Sequence, residues 1–208
     1  EHMSETLLAE LLAELEAGGL QDETAVVFLS DHGESWGERF EDKADVKGIY
    51  HLHGATLYDE VVRVPLILSA PAVSPAAVGA QVSTVDVAPT LLELAGLPSL
   101  DGDGLSLLQT ARAPDPDRAV LTFTSDRGVL SQAGVRRPPW KVIRHLEDGR
   151  VEAFRLDVDP RERVDRATEV PEELTYLLDL ELQDIERREL SREEEEAVVS
   201  RLSDLGYL

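Results

Sequence analysis

Three side chains carry the chemistry this sequence could perform: Asp31, His32 and His53. Asp31 and His32 are adjacent, an oxygen donor beside an imidazole. Such a pair can hold a divalent cation, and a cation there can polarise an ester oxygen and stabilise developing negative charge. His53, with His51 before it and Gly54 after it, can be a ligand. It can equally contact an anionic ester and donate a proton to the departing oxygen, because an imidazole titrates near working pH. Each residue also has a plainer reading, with Asp31 capping the next turn, His32 a satisfied surface histidine and His53 an ordinary loop residue. Taken one at a time the plainer readings are favoured, since motifs this short are weak and function resides in an assembled site. His2 and His145 are read as structural, as are Asp59, Glu60 and Arg63, a charged cluster suited to pinning a helix end.

The element that must present Asp31 and His32 is the apolar run Ala25-Val26-Val27-Phe28-Leu29-Ser30, which stops at Asp31-His32-Gly33. An apolar, β-branched run without alternation reads as a strand buried on both faces, of the kind found inside a parallel sheet. The carboxyl ends of such strands are where α/β sheets place their ligands. Before it, residues 4–17 read as a helix capped by Ser4, with Leu7, Leu8, Leu11, Leu12 and Leu15 on one face and Gly18-Gly19 as the stop. Residues 34–52 are polar and aperiodic, as expected of an active-site loop. A short helix comes after His53, then a second buried strand over 63–71, with prolines only at its ends. Residues 83–96 read as a helix with Pro89 in its first turn and Gly96 as its stop.

Residues 97–118 are rich in Pro, Gly and Asp and read as a boundary. Beyond it the period changes. Residues 119–124, 129–135, 140–146 and 151–156 are strand-like, with a hairpin turn at 147–150, which predicts a small antiparallel sheet. Residues 171–189 and 192–204 read as two acidic helices, the second capped by Ser191. The expected organisation is an α/β domain over 1–111, an antiparallel-sheet subdomain over 112–170 and a helical tail over 171–208.

Composition narrows the function classes. The chain of 208 residues has 42 Asp and Glu against 20 Lys and Arg, a formal net charge of -22. That field repels phosphate backbones and argues against nucleic acid as a partner. Lys43, Lys47 and Lys141 are its only lysines, and a carboxylate-coated, lysine-poor surface suits concentrated salt, so a halophilic source is expected. Cysteine is absent, which excludes disulfides and thiol nucleophiles within these residues. No apolar stretch reaches the roughly 20 residues of a membrane span. Nothing in the chain directs secretion, and a cytoplasmic location is the expectation.

In order along the chain, these pieces resemble the sulfatases of the alkaline phosphatase superfamily. Asp22-Glu23-Thr24 leading into Val26-Val27-Phe28-Leu29-Ser30-Asp31-His32-Gly33-Glu34 resembles the family's second metal-binding segment. His53-Gly54, Leu57-Tyr58-Asp59-Glu60 and Arg63-Val64-Pro65-Leu66-Ile67 resemble the segment after it. Val85-Asp86-Val87-Ala88-Pro89-Thr90-Leu91-Leu92, Asp103-Gly104-Leu105, Trp140-Lys141-Val142-Ile143, Asp159-Pro160-Arg161-Glu162 and the closing Leu205-Gly206-Tyr207-Leu208 are similar to the family's later helix, sheet and tail.

The resemblance implies the C-terminal half of such an enzyme: an alkaline-phosphatase-like α/β fold truncated on its N-terminal side. It implies that Asp31 and His32 ligate a divalent ion, calcium in most of the family, and that His53 takes the place of a basic residue on the sulfate ester. It implies a sulfuric ester hydrolase acting on a small sulfate ester or sulfated carbohydrate. In the family a formylglycine hydrate attacks sulfur, while metal and basic residues stabilise the transferring group. The C/S-x-P-x-R motif that yields formylglycine is absent here. That nucleophile is therefore expected in a missing N-terminal half, itself a candidate partner, and the chain alone is expected to be inactive. Two alternatives stay open: a phosphoester hydrolase or transferase of the same superfamily, using manganese or zinc, and a non-catalytic remnant acting as an interaction module.

Overall fold

The computed structural model describes residues 2–36, 53–54, 56–71, 73–126, 129–187 and 199–202. The chain opens with α1, His2–Ala17, whose Ala, Leu and Glu content favours helix. Gly19, at φ 66°, ends it. The helix begins before Ser4, so Ser4 lies inside its first turn and is not its cap. Leu7, Leu11 and Leu12, on the expected apolar face, are exposed among the described residues.

Strand β1, Val26–Leu29, pairs with β2, Leu66–Ser69, and the pairing corrects the expectation of a parallel sheet. The strands are antiparallel, with Val26 opposite Ser69 and Leu29 opposite Leu66. The physical reason is the path the chain takes after β1. It turns at Ser30 to Gly33 and returns through α2, Asp59–Val62, which bonds to that turn through Gly33 N and Val61 O at 2.7 Å. With α2 held against that turn, the chain enters β2 from the end at which β1 stops and runs the other way. Burial on both faces is also corrected, since Leu29 and Ile67 are exposed and the rest of β1 is half-buried.

The helix expected over 83–96 is a single 3-10 turn, Thr84–Asp86, running into α3, Val87–Leu94. Ser83 and Asp86 close a reciprocal capping box at its start. At its end Gly96 takes φ 66° and Leu97 N donates to Leu92 O at 2.9 Å, a Schellman stop. The stretch read as a boundary contains a further helix, α4, Leu107–Arg112, capped by Ser106.

The second half is the small antiparallel sheet expected from its strand-like runs and the hairpin turn at 147–150. Strands β3, Val120–Asp126, β4, Val129–Arg137, β5, Trp140–His145, and β6, Val151–Arg155, lie in sequence order. Period-two alternation decides its two faces. Ala133, Val135, Val142 and Ala153 point to one side and are covered by Leu174 and Leu178 of α5, Glu172–Arg187. Ile143 and Phe154 point to the other, where Leu57, Tyr58 and Val62 pack on them. Gly134 admits that contact, because a Cβ there would come 2.8 Å from Thr122 Oγ1 and 3.2 Å from Leu57 Cδ1. The segment from Leu57 into α2 is thus seated on the sheet. The second acidic helix, expected over 192–204, falls mostly outside the described residues, of which 199–202 are helical. No described helix is long and apolar enough to cross a membrane.

Candidate functional site

The turn after β1 is shaped by hydrogen bonds and by one close approach. Ser30 Oγ donates to His32 O at 2.5 Å, and Asp31 Oδ1 accepts from His32 N at 2.9 Å. At Gly33 the backbone lies against α2, where a Cβ would stand 2.1 Å from Glu60 O. Only glycine fits there.

His32 Nδ1 is 2.7 Å from Gly33 O. A carbonyl can only accept, so Nδ1 carries the proton, and in the neutral tautomer Nε2 keeps the lone pair. Metal-binding histidines are oriented by this kind of backbone bond. Asp31 Oδ1 and His32 Nε2 are 3.7 Å apart, a separation compatible with two donors sharing one ion at roughly 2.0–2.6 Å each. The donors therefore fit a divalent cation as one edge of a coordination sphere. Among the described residues no group of three His, Asp or Glu side chains forms a complete metal centre.

His53 is brought to the same place. Its ring stacks on that of His32, with centroids 3.7 Å apart and planes 19° apart. Its Nδ1 stands 3.1 Å from Glu34 Oε2, so the Glu34 carboxylate accepts from Nδ1 and leaves Nε2 outside that hydrogen bond. Glu34 Oε1 is buried without a hydrogen-bond partner among the described residues. Asp31 is largely exposed and both histidines are partly so, which leaves the cluster open to ligand. Thr124 of β3 donates to Gly54 O, which ties the His53 segment to the sheet. His51 and most of residues 34–52, expected from sequence to form an active-site loop, lie outside the described residues.

Sequence reasoning did not single out Glu34, whose only signal was its place three residues after Asp31. Nor did it assign Lys141 a role beyond its place in the strand over 140–146 and in the motif Trp140-Lys141-Val142-Ile143. Lys141 is buried in β5, with Nζ 2.8 Å from Asp59 Oδ1 and 2.6 Å from Glu162 Oε1. Burial pushes the Asp59 carboxyl up, but Lys141 and Arg136 outweigh it and hold Asp59 below its ordinary value. Burial raises Glu162, against the pull of Lys141. A lone lysine inside Trp140-Lys141-Val142-Ile143 was the signal available, because lysine is almost never buried unless paired.

Two further tethers join the halves. Arg118 holds Asp86 through both guanidinium nitrogens, at 2.7 and 2.6 Å, and Asp86 also accepts from Ser83 N and Leu105 N. Tyr58 Oη donates to Glu152 Oε2 at 2.9 Å, and His145 and Arg150 meet the same carboxylate. Read from sequence as structural, His145 stands in that network on the sheet.

A family model described as Sulfatase matches residues 3–97. Arylsulfatase K of Mus musculus is 31% identical over 196 residues, covering 88% of this chain and 34% of its own length. Choline-sulfatase of Rhizobium meliloti is 28% identical, covering 77% and 32%. Among solved structures, one in complex with its substrate D-glucosamine-2-N,6-O-disulfate superposes with a TM-score of 0.67 at 25% identity, over 87% of this chain and 38% of that one. A 2-O glycosaminoglycan sulfatase superposes with a TM-score of 0.57 at 24% identity, over 80% and 36%.

The chain spans about a third of the length of these curated relatives. The matches correct the expectation that the chain is the C-terminal half of a sulfatase. The Sulfatase model falls on the leading part of this chain, and the arylsulfatase relatives align along most of it.

Proposed function

On the premise that this chain has the α/β fold of the sulfatases in the alkaline phosphatase superfamily, we propose that it builds the cation-binding and leaving-group side of a sulfuric ester hydrolase site. The observation that carries the reading is the stack of His53 on His32, which joins the turn after β1 to the segment before α2 in one solvent-facing cluster. Asp31 Oδ1 and His32 Nε2 would hold the cation, with calcium the expected ion. Bound there, the ion would supply charge stabilisation at the ester oxygens.

The chain's own residues do the rest of what is proposed. Glu34 accepts a hydrogen bond from His53 Nδ1 and so fixes which ring nitrogen is left for the ester. His53 Nε2 then contacts an ester oxygen and, when protonated, donates to the departing one. Gly33 keeps the turn pressed on α2. These residues contain neither cysteine nor a C/S-x-P-x-R motif, so the proposal covers binding and proton donation, and turnover by the 208 residues alone is not expected. A sulfated sugar is the proposed substrate class, supported by a structural neighbour bound to a sulfated glucosamine.

The test is a titration with glucosamine 6-sulfate in the presence of calcium, monitored through the ring-proton signals of His32 and His53. Saturable shifts of both signals, abolished by His53→Gln and weaker with glucosamine 6-phosphate, are the expected result. Shifts that favour the phosphate ester would move the reading to phosphoesters. Absence of any shift would overturn it.

A further inference from the structure

We propose that Lys141 and Glu162 are positioning residues for the cation-binding turn and act on it through α2. This rests on Asp31 and His32 being the cation ligands. The two side chains are the most deeply buried charges of a four-member cluster drawn from four segments: Asp59 at the start of α2, Arg136 on β4, Lys141 on β5 and Glu162 after β6. Lys141 and Glu162 are 1% and 0% exposed. Lys141 Nζ bridges Asp59 Oδ1 and Glu162 Oε1, while Arg136 reaches Asp59 Oδ2 at 3.4 Å. The second Glu162 oxygen accepts from Asp59 N at 2.8 Å, at the first residue of α2. Glu162 takes φ 52°, a left-handed conformation that a glutamate adopts only when its surroundings hold it.

The arrangement has a mechanical consequence. Apolar contact of Leu57, Tyr58 and Val62 with Ile143 and Phe154 buries the α2 segment but is non-directional. Charge-assisted hydrogen bonds are directional, and those at Asp59 fix where α2 sits along the sheet. On its other side α2 has no slack. Val61 O accepts from Gly33 N at 2.7 Å, and the approach of Glu60 O to Gly33 leaves no room for a methyl group. A shift of α2 therefore passes into the turn that aims Asp31 and His32. A buried ion cluster is weak evidence for stability, since apolar residues of equal volume often serve as well. Fixing geometry is the role that the hydrogen bond to Asp59 N supports.

The experiment compares wild type, Glu162→Gln and Lys141→Met in the 208-residue chain. It reads amide hydrogen exchange at Gly33, exchange at amides of β4 and β5, and calcium affinity by calorimetry. In Glu162→Gln, which keeps the shape and removes the charge, Gly33 exchange should rise about tenfold with the sheet amides little changed. Calcium affinity should fall about 10- to 100-fold, the usual range for a supporting residue. Lys141→Met should do the same more strongly; if it fails to fold, Glu162→Gln decides alone. Unchanged Gly33 exchange, or a rise shared equally by the sheet, would overturn the proposal. If wild type binds no calcium, the cation reading fails, and the exchange data still decide whether α2 is positioned by the cluster.

Discussion

A single methyl group at Gly33 is enough to separate the turn bearing Asp31 and His32 from α2, because a Cβ would sit 2.1 Å from Glu60 O. Gly33→Ala should destabilise the fold by about 1–3 kcal/mol, as overpacking does, and abolish cation affinity; denaturant unfolding and calorimetry check the two effects separately. Asp86 governs the acid limb of stability. Burial pushes its carboxyl up, but the hydrogen bonds from Arg118, Leu105 and Ser83 outweigh that and hold it below the ordinary value of 3.8. Its ionised form therefore contributes stability above pH 3.8, and that contribution is lost as pH falls through the lower folded value. Asp86→Asn should flatten the loss of stability on acidification and, by leaving Arg118 buried and unpaired, cost about 3–5 kcal/mol near neutrality, measured by unfolding across roughly pH 3–7. Glu162 runs the other way: with a raised folded value, its contribution is full below 4.5 and is lost as pH rises through that folded value. At this scale the sequence disclosed Asp31, His32 and His53 as residue types. It did not disclose that His53 stacks on His32 or leans on Glu34, because a contact between residues so far apart in sequence leaves no periodic trace.

The elements were legible where side-chain alternation encodes a face. Val142 against Ile143 and Ala153 against Phe154 assign the two sides of the C-terminal sheet, and the structure covers them with α5 and the α2 segment respectively. Strand direction was not legible for β1 and β2, because an apolar run marks a strand, not which way its neighbour runs. The six-residue α4 was hidden in a Pro-, Gly- and Asp-rich stretch, too short to show a period. The packing assignments carry a test. Leu178→Ala, at a fully buried position of α5, should cost about 2–5 kcal/mol. Leu11→Ala, on the exposed face of α1, should change stability by less than about 0.5 kcal/mol. Urea unfolding midpoints distinguish them.

Across the whole molecule the net charge of -22 opposes compaction. Raising salt from about 0.1 to 1 M shortens the screening length from about 10 to 3 Å, so the thermal unfolding midpoint should rise with sodium chloride. The fold was legible from ordered motifs spread over nearly the whole chain, and the resemblance to sulfatases rested on that order more than on any one motif. The expectation of a C-terminal half is corrected, because motif order says nothing about where the family's matched segment falls in the chain. The central claim is that Asp31 and His32 form a cation edge beside His53. Its most direct test is a calcium titration by calorimetry in about 0.5 M potassium chloride, where diffuse binding to the acidic surface is screened. One saturable site in wild type, lost in Asp31→Asn and weakened at least tenfold in His32→Ala, is the predicted result. No saturable binding, or binding that both substitutions leave unchanged, would contradict it.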